Sequence, residues 1–125
     1  MAEDKTYIII DDNEIDIYIA KKMIELSFPN ANIITFNNGT DALEMVKITK
    51  FDVPAIMLVD INMPIMKGFQ FMEQFEKLSS EIQKNFIPYF LTSSINESDM
   101  SIAKSFKSIK KYINKPLVSN YILEL

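Results

Sequence analysis

The chain has no cysteine and no histidine, and all 13 of its basic residues are lysine. Without cysteine there is no disulfide framework and no thiol chemistry. Without histidine the commonest general base and metal ligand is missing, and no phosphohistidine can form within the chain. A bound metal must be held by oxygen, which points to magnesium, calcium or manganese. A net charge of −4 without arginine argues against a nucleic-acid reader, which carries a basic face. No apolar run approaches the length that spans a membrane. The polar start Met1-Ala2-Glu3-Asp4-Lys5 is unlike a secretion signal. The cytoplasm is the expected location, with neither membrane nor nucleic acid as partner.

What is present is a 125-residue sequence, 48% apolar and 24% charged, enough for one domain over 1–125 with its own core. Short apolar runs alternate with amphipathic stretches. Tyr7-Ile8-Ile9-Ile10 reads as a strand buried on both faces and stops at Asp11-Asp12. Asn13 can cap a helix on which Ile15, Tyr18, Ile19, Met23 and Leu26 recur at helical spacing. Asn32 to Phe36 is a second strand, and Thr40 after the Asn37-Asn38-Gly39 turn caps a second helix. Pro54 to Val59 is a third strand ending on Asp60. A loop from Asn62-Met63-Pro64 to Gly68 leads to a helix with Phe69, Met72, Phe75 and Leu78. Phe86 to Leu91 is a fourth strand running into Thr92-Ser93-Ser94, with Ser94 or Asn96 capping a helix to about Phe106. Lys104, Lys107, Lys110 and Lys111 read as a solvated helix face. Tyr112-Ile113-Asn114 is a fifth strand before Lys115-Pro116, and Ser119 caps a final helix. Such alternation predicts an α/β fold, a parallel sheet with helices on both faces. In such sheets the site lies beyond the carboxyl ends of the strands.

Those ends carry Asp11-Asp12, Asp60, Thr92 and Lys115. If the fold gathers them, three carboxylates face one ammonium and one hydroxyl. Crowded carboxylates repel, and a hard divalent cation relieves the conflict. Three carboxylates, one lysine and one divalent ion sum to zero charge. A carboxylate can act as nucleophile in phosphoryl transfer, and the metal, Lys115 and Thr92 are suited to hold phosphoryl oxygens. Each residue alone has a plainer reading. Asp11-Asp12 could be a capping cluster, Thr92 a turn residue, Lys115 a surface lysine and Tyr112 a half-buried aromatic. Their joint occurrence in order overturns these readings.

Asp11-Asp12, Asp60-Ile61-Asn62-Met63-Pro64 through Gly68, Thr92-Ser93, Tyr112 and Lys115-Pro116 together resemble the receiver domain of two-component response regulators. The single-domain, chemotaxis-type (CheY-like) receivers are the nearest form, and the likeness covers essentially the whole chain. The resemblance implies a flavodoxin-like (βα)5 fold with strand order 2-1-3-4-5 and no output domain. It implies that Asp60 is the phosphoacceptor and that magnesium, or manganese in its place, is held by Asp11, Asp12, Asp60 and the Asn62 carbonyl. It further implies that Lys115, Thr92 and Ser93 lie at the phosphoryl group, that Tyr112 turns inward as Thr92 shifts, and that Asn62 and Ser94 set the phosphate's lifetime. Pro64, Gly68 and Pro116 would be structural, with a cis bond before Pro116. The phosphoryl group would come from a histidine kinase or phosphotransfer protein in trans, and the output would be contact with a downstream protein. A magnesium-dependent phosphatase with an aspartyl nucleophile is the alternative. Such enzymes need an acid two residues on, where this chain has Asn62. A flavin-binding domain of similar topology would need a phosphate-cradling loop where Asp11-Asp12-Asn13-Glu14 stands.

Overall fold

The computed structural model describes residues 5–63, 66–93, 97–117, 122 and 125. The elements are β1 (Thr6–Ile10), α1 (Glu14–Ser27), β2 (Asn32–Phe36), α2 (Gly39–Ile48), β3 (Ala55–Val59), α3 (Gly68–Glu76), α4 (Ser80–Gln83), β4 (Phe86–Thr92), α5 (Glu97–Lys104) and β5 (Tyr112–Asn114). Five strands form one sheet in the order β2-β1-β3-β4-β5. All four neighbouring pairs are parallel. The flavodoxin-like arrangement is therefore present. Among the described residues no helix is long and apolar enough to cross a membrane.

The two-residue period of a strand sorts the core into two layers. Ile8, Ile10, Met57, Val59 and Phe90 face one side with α2, α3 and the α5 end, where Phe106 packs. Tyr7, Ile9, Ile56, Leu58, Leu91 and Ile113 face the other, against Ala20 and Ile24 of α1 and against Ile122. Pro88 lies inside β4, where a missing N–H would normally break a ladder. Phe90 N–H donates to Lys111 and the Pro88 carbonyl accepts from Lys110, so the ring nitrogen of Pro88 faces the β5 side. There β5 has not yet begun, since its pairing starts at Phe90 with Tyr112. The proline therefore costs no ladder bond.

Four local expectations need correction. In α1 the buried residues are Ala20 and Ile24, while Ile15, Tyr18, Ile19 and Leu26 are exposed. The helix is apolar on two sides, and the narrower stripe of small and branched residues fits against the sheet. Asn38, not Thr40, caps α2, its side chain accepting from the Asp41 amide at 2.8 Å. The single-turn helix α4 was not expected; Ser79 caps it, and Gln83 donates to the carbonyls of Glu76 and Leu78 at the end of α3. Helix α5 ends at Lys104, so Lys107, Lys110 and Lys111 lie on the connection to β5 rather than on a helix face. The capping roles of Ser94, Asn96 and Ser119, and the place of Pro64, lie outside the described residues.

Candidate functional site

Strand register gathers the acidic residues. Ile10 pairs with Val59, so the next residues, Asp11 and Asp60, leave neighbouring strands side by side. The ladder continues past the strand ends, with Asp60 N–H donating to Ile10 and Asp11 N–H donating to Phe36. Lys115 is joined to the same edge by its N–H bond to the Thr92 carbonyl at 2.8 Å. By alternation Asp11, Asp60 and Lys115 then project toward the α1 face, while Thr92 and Tyr112 belong to the opposite one. Asp11, Asp60 and Thr92 are the polar side chains buried here, at 2%, 5% and 0% exposure, whereas Asp12 is exposed to solvent.

The Lys115 ammonium lies 2.7 Å from Asp11 Oδ2, 2.7 Å from Asp16 Oδ2 and 3.4 Å from Asp60 Oδ1. Desolvation works against its charge, but hydrogen bonds to Asp11 and Asp16 and the nearby Asp60 outweigh it and raise its pKa. The other Asp11 oxygen accepts the Asn13 N–H at 2.9 Å. Asp60 behaves differently. Burial, and then the Asp11 carboxylate, push it up to about 6, against the pull of Lys115 and of a hydrogen bond from the Asn62 backbone. Asp60 thus carries its charge at a cost, while the ammonium beside it lies closer to Asp11 and Asp16.

Asp11, Asp12 and Asp60 each place a carboxylate oxygen within 4.8 Å of the others'. Three carboxylate oxygens gathered this closely are within reach of a single hard cation, which would keep water at its remaining positions. The donor set is oxygen only, as a hard cation prefers, and the exposed Asp12 side leaves room for retained water. The residues present fit the ion.

Gly68 shapes the loop beneath this cluster. A Cβ added there would sit 2.3 Å from the Asp60 carbonyl oxygen and 2.8 Å from Ile61 Cα. Only hydrogen at that position lets α3 start directly against the end of β3, where Gly68 N–H donates to the Ile61 carbonyl at 2.9 Å. The Lys115–Pro116 peptide is cis. Ser93 is exposed and, with Asp16, Ile19, Leu91, Lys115 and Pro116, lines a cavity of about 200 Å3 beside the lysine. Ser94 and Pro64 lie outside the described residues.

On the other face Tyr112 is half-buried against the Phe90 and Phe106 layer. Its hydroxyl is buried with no hydrogen-bond partner among the described residues. Burial, and then Asp99, raise its pKa. Asp16 is the site residue that sequence reasoning passed over. An acidic residue in a helix's first turn already has an explanation in the helix dipole, and no spacing points it at a lysine 99 positions away.

The response regulator receiver domain family matches residues 7–125. The sensor histidine kinase CheAY of Helicobacter pylori is 29% identical over 119 residues, covering 95% of this chain and 14% of that protein. The chain thus spans about one seventh of that relative's length. Protein PilH of Pseudomonas aeruginosa is 23% identical over 117 residues, covering 94% of this chain and 90% of that protein. A response regulator receiver protein of Dyadobacter fermentans has a crystal structure that aligns with a TM-score of 0.86 and 25% identity, covering 96% of this chain and 93% of that one. With the parallel sheet and the gathered carboxylates, these findings place the chain in the response regulator receiver domain family, whose members are phosphoacceptor signalling switches rather than enzymes that turn over small molecules.

Proposed function

We propose that Asp60 is the phosphoacceptor of this switch, and that Asp11, Asp12, Asp60 and the Asn62 carbonyl hold magnesium during transfer. The observation that carries the reading is the three-carboxylate cluster within 4.8 Å, closed on one side by the Lys115 ammonium. An Asp60 oxygen forms the new P–O bond as the P–N bond of a phosphohistidine on another protein breaks, and the freed imidazole leaves with the bond's electron pair. Bound magnesium supplies positive charge for the carboxylate and phosphoryl oxygens. Lys115 orients a phosphoryl oxygen and offsets its charge, and Thr92 donates its hydroxyl to another. Ser93, small and exposed, leaves the approach open, and Asn62 and Ser94 set how readily water reaches the phosphate. As Thr92 is drawn toward the phosphoryl group, Tyr112 follows into the vacated space and alters the surface a downstream protein reads. A histidine kinase or phosphotransfer protein is the donor, consistent with the chain's lack of histidine.

The test is incubation with magnesium and a small acyl phosphate, read by intact mass. The wild type gains one acid-stable, base-labile phosphoryl group, and Asp60→Asn gains none. Equal gain by both, or gain by neither, refutes the reading.

A further inference from the structure

We infer that Asp16 is a positioning residue that holds Lys115 while Asp60 carries no phosphoryl group and competes with that group for the ammonium once it arrives. The inference rests on the assignment of Asp60 as phosphoacceptor. The geometry is specific. Lys115 has three N–H donors. Two are within hydrogen-bonding distance of Asp11 and Asp16, both at 2.7 Å, while Asp60 stands off at 3.4 Å. The lysine is therefore held beside the acceptor rather than on it. The two holders differ in how freely they can let go. The Asp11 side chain is 3% exposed and also accepts the Asn13 N–H. Asp16 is 32% exposed, so water can replace the ammonium there at little cost. Asp16 is the contact the lysine can surrender.

Charge points the same way. Asp11, Asp12, Asp60, Lys115 and one divalent ion sum to zero, but Asp16 adds a negative charge directly on the lysine. That charge favours a cation nearby and disfavours an added phosphoryl group. It also holds Lys115 back from Asp60, leaving that carboxylate less contested. Removing it should thus affect metal and phosphoryl group in opposite directions, which a loss of folding could not do.

The test uses Asp16→Asn, which keeps side-chain shape, with magnesium alone and then with beryllofluoride, a phosphoryl mimic, at saturating magnesium. Binding is followed by isothermal titration calorimetry. Asp16→Asn is expected to bind magnesium about threefold to fivefold more weakly and beryllofluoride about threefold to fivefold more tightly than wild type, the range a partly exposed ion pair supplies. Weaker binding of both ligands, or no change in either, overturns the inference while wild-type beryllofluoride binding leaves the Asp60 assignment standing. Failure of the wild type to bind beryllofluoride overturns both.

Discussion

At the scale of single residues, the raised pKa of Asp60 makes it a destabilising charge in the metal-free protein. Its ordinary value is 3.8, and in the fold it is about 6. Below the ordinary value the carboxyl is neutral in both folded and unfolded chains, and it costs nothing. Between the two values the folded chain holds the proton that the unfolded chain releases, so stability falls as pH rises. Above about 6 the whole penalty is present. Asp60→Asn, without magnesium, is therefore expected to raise the melting temperature at pH 7 and to leave it nearly unchanged at pH 3.5. Melting curves at the two pH values check this, and an equal gain at both contradicts the assigned environment. Gly68 makes a second residue-scale prediction. In Gly68→Ala the new methyl must displace the Asp60 carbonyl or the first turn of α3. A loss of about 1–3 kcal/mol in denaturant unfolding is expected, with slower phosphorylation by a small acyl phosphate because the acceptor strand moves. Gly39→Ala is the control, since its methyl would meet the flexible side chain of Met66.

At the scale of elements, α1 does two jobs with two faces. Ala20 and Ile24 seal the sheet, while Ile15, Tyr18 and Leu26 stand 71%, 59% and 77% exposed on a helix whose first turn touches Lys115. If Asp60 is the phosphoacceptor as proposed, a protein delivering its phosphoryl group would cover that rim, which would give the exposed stripe a use. In Ile15→Lys with Tyr18→Lys, folding stability should stay within about 0.5 kcal/mol per site and acyl-phosphate labelling should persist. Transfer from a phosphohistidine-bearing donor that labels the wild type should slow at least tenfold, as loss of an interface anchor does. Equal transfer rates would remove α1 from the donor interface. The same helix shows where sequence reading stops. The strands were legible because apolar runs leading to Asp11, Asp60 and Thr92 are features of consecutive residues. The buried face of α1 was not, because Ile15, Ile17, Tyr18, Ile19, Ala20, Met23, Ile24 and Leu26 allow two apolar stripes, and spacing alone does not choose between them. The four residues of α4 are too few to show any period, and Asp16 reaches Lys115 only through tertiary structure.

At the scale of the whole molecule, the residues of the candidate site belong to separate parts of the chain that only the fold unites. Asp11 follows β1, Asp60 follows β3, and Lys115 follows β5 on the far side of β4. An ion held among these carboxylates binds the folded chain and not the unfolded one, so it must stabilise the entire domain. At a concentration a hundredfold above the dissociation constant the gain is about 2.7 kcal/mol, which for a domain of this size raises the melting temperature by roughly 10 °C. Chelation should reverse it. Asp12→Asn should abolish most of the rise without opening a cavity, because Asp12 is exposed. Lys115→Ala should retain the rise, since the lysine competes with the ion for Asp11 rather than binding it. The rise should shrink as pH falls through about 6, where Asp60 takes up the proton that the ion must displace. Melting curves of the three proteins with magnesium and with chelator decide the matter. A rise of equal size in wild type and Asp12→Asn would move the ion away from the strand ends and leave the three carboxylates without their common partner.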